Sequence, residues 1–139
     1  MNDNNKPNNK LHLKITTPIG IFLEKDVDEI VAPGSEGYFG VQYGHTPFLT
    51  SIRPGILKIF AQDSEKIYSI HNGFVIVNFD EISILTEIIE KPEDVDKARA
   101  KRARERAEKR LKEKKEGTDF RRAEVALRRA LARLQVSQK

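Results

Sequence analysis

Ile82-Ser83-Ile84-Leu85-Thr86-Glu87-Ile88-Ile89-Glu90-Lys91-Pro92-Glu93-Asp94-Val95-Asp96-Lys97-Ala98-Arg99-Ala100 holds the turning point of this chain. Its first half is rich in β-branched residues and reads as a strand over Ile82–Glu87. Its second half changes period. Pro92 followed by Glu93 and Asp94 predicts a helix start, because proline fits a first helical turn and acids complement the helix dipole. From there Ala100, Ala103, Ala107 and Leu111 fall on one stripe at ~100° per residue. The chain therefore divides near Glu90 into a β-rich body over 11–90 and a helical module over 91–139.

Towards the N-terminus the body is a series of short strands. Leu11, Leu13 and Ile15 alternate with His12, Lys14 and Thr16, the pattern of a half-buried strand. Further strands are predicted at Ile19–Leu23, Val27–Ala32, Tyr38–Val41, Phe48–Ile52, Ile56–Ala61, Lys66–Ile70 and Phe74–Asn78. Turn residues separate them: Pro18, Pro33-Gly34, Gly44, Pro54-Gly55, Asn72-Gly73 and Asp80. Nine short strands at this spacing predict an antiparallel sandwich or barrel. Every Phe except Phe120 lies in this half, which places the core there. Ahead of it, Met1–Lys10 is Asn- and Lys-rich without an apolar run, and is expected to be a disordered leader.

Towards the C-terminus Gly117 is expected to end the first helix, with Thr118 or Asp119 capping a second. Phe120, Ala123, Leu127, Ala130, Leu131 and Leu134 share one face of that helix. A short turn makes the two helices an antiparallel hairpin. An alanine stripe buries little surface at ~25 cal/mol per Å², so the hairpin is expected to be marginal by itself and open to a switch.

Charge follows the same division. Residues 1–90 carry 7 Lys+Arg against 12 Asp+Glu, net −5; residues 91–139 carry 18 against 9, net +9. A basic module of this kind suits an acidic partner. There is no cysteine, which excludes disulfides and thiolate chemistry. No run approaches the ~20 apolar residues that span a bilayer. His12, His45 and His71 lack metal-ligand spacing, and no glycine-rich loop leads from a strand into a helix. His12 reads as a solvent-facing strand residue, His71 as a structural residue at a strand end, and Glu36 and Glu87 as surface acids. No catalytic constellation emerges.

The arginines are more informative. Arg99 and Arg106 flank the alanine stripe of the first helix. Arg129 and Arg133 are one turn apart on the second. Closing the hairpin could bring guanidinium groups from both helices to one polyanion, for which their rigid fork is suited. Two other readings stay open. One is a solvated basic face supported by pairs such as Glu105–Lys109. The other is a nucleic-acid-binding module, weakened by the single aromatic Phe120 and by interspersed acids that dilute the field.

The run Gly34-Ser35-Glu36-Gly37-Tyr38-Phe39-Gly40-Val41-Gln42-Tyr43-Gly44-His45-Thr46-Pro47-Phe48-Leu49-Thr50, continuing to Arg53-Pro54-Gly55, resembles the signature of the epsilon subunit of F-type ATP synthase. Asp94-Val95-Asp96-Lys97-Ala98-Arg99-Ala100, Glu105-Arg106-Ala107 and Asp119-Phe120-Arg121-Arg122-Ala123-Glu124 resemble its helical domain. The resemblance spans residues 11–136. It implies a sandwich of about ten strands followed by a two-helix hairpin, in a non-catalytic rotor subunit at the cytoplasmic face of the bacterial plasma membrane. It implies docking on the gamma subunit and the c-ring, with no nucleic-acid partner. It also implies inhibition of ATP hydrolysis when the hairpin extends to the beta subunits. No cofactor is required; ATP is implied as a regulatory ligand of the closed hairpin. Carried over by position, that site comprises Glu90, Val95, Asp96, Arg99, Ala100, Arg106, Arg129 and Arg133. Val95 replaces the family's usual Ile or Leu. The subunit interface is expected at Glu36, Tyr38, Gly44 and His45, with Tyr38 making it more apolar than in relatives. His45 is expected to order its own turn, to face gamma, or to do both.

Overall fold

The computed structural model describes residues 9–113 and 117–138. The expected leader, apart from residues 9–10, lies outside the described residues. Eight strands come first: β1 (Leu11–Thr17), β2 (Gly20–Val27), β3 (Glu29–Gly34), β4 (Gly37–Gln42), β5 (Phe48–Ile52), β6 (Gly55–Ala61), β7 (Ser64–Val77) and β8 (Glu81–Glu90). Two helices follow, α1 (Lys97–Glu113) and α2 (Phe120–Ser137). The strands run in the order β2-β1-β8-β7-β5-β3-β4, and β6 joins β3 to β7. The sandwich encloses one apolar core that includes Leu11, Leu13, Ile15, Ile30, Leu57, Ile70, Val75 and Ile84. The alternation seen in β1 is that of burial: Leu11, Leu13 and Ile15 are fully enclosed.

Two expectations for the sandwich change. The sandwich is mixed rather than wholly antiparallel, because β1 pairs β8 in parallel from His12–Glu81 to Thr16–Leu85. Six strands lie between them in sequence, which supplies the long crossover that parallel neighbours need. Eight strands form, against nine read from the residues and about ten implied by the resemblance. The segments Lys66–Ile70 and Phe74–Asn78 are one strand. Asn72 and Gly73 do take positive φ, 54° and 141°, as turn residues do. Here they kink β7 without reversing it, and β8 pairs it on both sides of the kink. Below the kink β7 also pairs β6, and above it β5.

The kink exchanges the two faces of the strand. Tyr68 and Ile70 point into the core before it, and Val75 and Val77 after it. The outer face therefore carries Ile67, Ser69 and His71, then Phe74 and Ile76. A Cβ at Gly73 would lie 1.9 Å from the Leu85 carbonyl oxygen, so the two strands approach this closely only because Gly73 has no side chain. The buried Thr86 hydroxyl fastens the kink, within donating distance of the His71 and Asn72 carbonyl oxygens at 2.9 and 2.8 Å.

The helix expected to begin at Pro92 does not. Pro92–Asp94 makes a single 3-10 turn, and Val95 is extended at φ −85°, ψ 127°. The α-helix starts only at Lys97, with the Asp96 carboxylate accepting from the Arg99 N–H at 3.0 Å. Asp119 caps α2 in the same way, accepting from Arg122 N–H at 3.0 Å. Along α1, Lys109 lies 4.0 Å from Glu113 rather than pairing with Glu105, and Arg104 lies 3.9 Å from Glu108. The helices pack on each other through Ala100, Ala107, Ala123 and Ala130, all buried. Phe120 and Leu131 of the expected apolar face are more than two-fifths exposed. Alanine against alanine lets the axes approach closely and leaves those larger side chains at the rim.

Candidate functional site

The hairpin is held to the sandwich chiefly through α2, which packs on β6 and β7. Ala132 and Val136 are buried against Ile56, with Ile67 and Val95 beside them. Val95, expected at the nucleotide site, lies in this apolar seam. Its backbone is extended, and it does not line the cleft in which the arginines meet.

At one end of the seam is a polar cluster. The Arg133 Nε donates to Glu90 Oε1 at 2.7 Å. The Ser69 hydroxyl donates to the same oxygen at 3.1 Å. His71 Nε2 lies 3.7 Å from it, an electrostatic contact too long for a hydrogen bond. Ser69 and His71 are both fully buried although both occupy the outer face of β7. Burial pushes the His71 imidazole down to about 4; the Arg133 guanidinium adds to the shift, Glu90 opposes it, and Arg129 adds a little more. Neither His71 ring nitrogen has a hydrogen-bond partner among the described residues.

Beside this cluster opens a cleft of about 280 Å³ lined by Glu90, Asp94, Asp96, Arg99, Ala100, Ala103 and Arg133. Five of the eight predicted nucleotide-site residues meet there, with an arginine from each helix. Arg106 is exposed on α1 outside the lining. Arg129 sits one turn before Arg133; its Nε is buried and has no hydrogen-bond partner among the described residues. Three carboxylates face two guanidinium groups in the lining, and Glu90 already neutralises Arg133. A polyphosphate would have to displace Glu90, or draw in Arg129, to gain a basic seat.

The four residues expected at the subunit interface do not form one patch. Glu36 and Tyr38 lie at the β3–β4 turn, and Gly44 and His45 follow the other end of β4. Tyr38 is 54% exposed, yet its hydroxyl accepts the Ile56 N–H at 2.9 Å and so ties β4 to β6. Gly44, at φ 86°, donates its N–H to Phe79 O at 2.7 Å. The His45 Nδ1 contacts the Thr46 carbonyl oxygen at 2.7 Å, which is the turn-ordering role.

A more continuous surface escaped the sequence reading. Leu49 of β5, Phe74 and Ile76 of β7 and Leu85 of β8 are all exposed, and they are cross-strand neighbours. They prolong the outer face of β7 beyond the part that α2 covers. The run Phe74-Val75-Ile76-Val77 carried the signal, since a strand apolar on both faces has to bury both or offer one to a partner.

Comparison with known proteins matches this architecture module by module. Residues 10–92 match the family described as ATP synthase, Delta/Epsilon chain, beta-sandwich domain. Residues 93–138 match the ATP synthase, Delta/Epsilon chain, long alpha-helix domain. The chain belongs to the ATP synthase delta/epsilon family. Among its relatives are ATP synthase epsilon chains of two bacteria. That of Nitratidesulfovibrio vulgaris is 43% identical over 126 residues, covering 91% of this chain and 94% of the relative. That of Syntrophobacter fumaroxidans is 43% identical over 130 residues, covering 94% and 97%. A chain of the Euglena gracilis mitochondrial ATP synthase, solved as OSCP/F1/c-ring, superposes with a TM-score of 0.81 at 25% identity, covering 94% of this chain and 82% of that one. A chain from the Tetrahymena thermophila central stalk and c-ring shares the fold, with a TM-score of 0.58 at 19% identity. As an epsilon-type member the chain is a non-catalytic central-stalk subunit, and no helix among its described residues is long and apolar enough to cross a membrane.

Proposed function

We propose that this subunit is part of the rotor that couples proton flow to ATP synthesis, and that its hairpin is a nucleotide-sensitive brake on ATP hydrolysis. The observation that carries the second half is the cleft in which Arg99 of α1 and Arg133 of α2 meet, with the Arg129 Nε, which has no hydrogen-bond partner among the described residues, one turn away. A triphosphate bridging two helices binds only while the hairpin is closed. It therefore stabilises that state by RT ln(1 + [L]/Kd), about 2.7 kcal/mol at a hundredfold excess over Kd.

The anchor in this reading is the sandwich, docked on gamma and the c-ring at the cytoplasmic face of the membrane. The exposed Leu49, Phe74, Ile76 and Leu85 suit a permanent apolar interface. The moving part is the hairpin, whose alanine packing and short seam make it easy to lift. When lifted, its net positive charge favours acidic segments of the beta subunits.

Isothermal titration of the full chain with ATP tests the ligand. Binding by wild type and at least tenfold weaker binding by Arg99→Ala and Arg133→Ala is the expected result. No heat in any of the three overturns the nucleotide reading and leaves the rotor role standing. Deleting residues 92–139 in the assembled enzyme tests the brake: hydrolysis should rise, and unchanged hydrolysis at every nucleotide concentration contradicts it.

A further inference from the structure

Ser69 and His71 are polar side chains of β7 whose burial the sandwich alone does not explain. Both lie on the outer face of β7, where a residue of an isolated sandwich meets water. Both are nonetheless fully enclosed. Their cover is α2, which packs on this part of β7. Under that cover Ser69 has a partner, the Glu90 carboxylate, at 3.1 Å. His71 has no hydrogen-bond partner among the described residues, and its Nε2 lies 3.7 Å from the same Glu90 oxygen. The charged groups that face it are Glu90 from β8 and Arg129 and Arg133 from α2.

We propose that His71 makes the seat of the hairpin a proton-sensitive latch: the neutral imidazole admits α2, and protonation of His71 lifts it. This rests on the reading that the hairpin docks and lifts as a unit. It adds a second input, acting without any nucleotide.

The chemistry follows from the positions. A neutral imidazole under α2 leaves Glu90 free to hold Arg133 at 2.7 Å. An imidazolium at the same place shares one Glu90 oxygen, 3.7 Å from its Nε2, with Arg133 and Ser69. It also stands against the guanidinium groups of Arg129 and Arg133 in a space closed to water. Lifting α2 relieves all of this at once, by returning His71 to solvent. Linkage gives the sign. The lifted state has the ordinary histidine value of 6.5 and the docked state a lowered one, about 4. The lifted state therefore takes up the proton, and docking weakens as pH falls through the interval between those values. Between pH 7.5 and pH 5 the docking equilibrium should shift towards the lifted state on the order of tenfold.

The test uses the full chain without nucleotide. A fluorescence distance pair is placed on the exposed β1–β2 turn and at the exposed end of α2. The docked fraction should fall between pH 7.5 and pH 5 in wild type and stay level in His71→Asn. Ring-proton resonances of His71 in wild type give an independent reading: a docked signal that resists protonation well below pH 6.5, exchanging with a lifted signal that titrates normally. A pH response identical in His71→Asn and wild type overturns the latch, and so does a docked His71 that titrates at the ordinary value. A probe distance that stays fixed at every pH, and also on adding ATP, overturns the underlying hinge as well. A response to ATP alone overturns only the latch.

Discussion

At the scale of single residues, sites where the backbone or a charge is constrained make the sharpest predictions. Gly73 is one. Its φ of 141°, and the 1.9 Å that would separate an added Cβ from Leu85 O, leave no room for alanine. Gly73→Ala should lower the unfolding free energy by more than about 2 kcal/mol, read by denaturant titration. The Asn72-Gly73 turn signal was legible in the sequence, but its meaning was not. Positive φ is required alike by a hairpin and by a kink in a continuous strand, and only the pairing of β8 across it decides. His12 gives a pH prediction of the opposite sign to that of His71. Its ring nitrogens lie 2.8 Å from Asp26 and 2.8 Å from Glu24 on the edge of the sheet. Those hydrogen bonds, Asp26 first, raise its pKa. A raised value means that the stabilisation is full below the unfolded value of 6.5 and is lost as pH rises through the folded value. Both partners are well exposed, so the effect is small. Wild type should exceed His12→Asn in stability at pH 6 by under about 1 kcal/mol, with the gap closing by pH 8.5.

Among the elements, caps and seams decide where helices begin and what they hold. The cap of α2 was legible from its place after Gly117 as Thr118 or Asp119, and Asp119 fills it. Asp96 was not, although it stands three residues before Arg99, the same spacing as Asp119 to Arg122. Reading Pro92 as the helix start put Asp96 inside the helix, and the extended Val95 is what excludes that. Asp96→Ala should therefore weaken α1 by about 1 kcal/mol even without ligand, visible as lost helical signal on thermal melting. The seam was legible only in part. The sequence placed Ala123, Ala130 and Leu134 on one face, yet α2 has a second contact face, Ala132 and Val136, which meets Ile56 and Ile67. A helix serving two neighbours needs a wide apolar arc, and alanine is too neutral a signal to reveal the second half. Val136→Ala should favour the lifted hairpin by roughly 1–2 kcal/mol while leaving the sandwich melt unchanged.

For the whole molecule, the division into an acidic sandwich and a basic hairpin was set by the change of period and of charge near Glu90. Of the arginines read from helical spacing, Arg99 and Arg133 line the cleft between them, whereas Arg106 and Arg129 lie outside its lining. What stayed hidden was long-range pairing. Ser69 and His71 joined Glu90 and Arg133 only when α2 covered β7, and neither the kink nor the cover has a local signature. The exposed strip of Leu49, Phe74, Ile76 and Leu85 was hidden for the same reason, since it depends on which strands are neighbours. The central claim is that the hairpin has to leave this seat to restrain hydrolysis. The most direct test takes advantage of a chain without cysteine. Ile67→Cys and Val136→Cys are joined across the seam by a short cleavable thiol cross-linker in the assembled enzyme, and ATP hydrolysis is measured before and after cleavage. The account predicts faster hydrolysis while the hairpin is pinned and a return to the restrained rate once the link is cut; equal rates in the two states would contradict it.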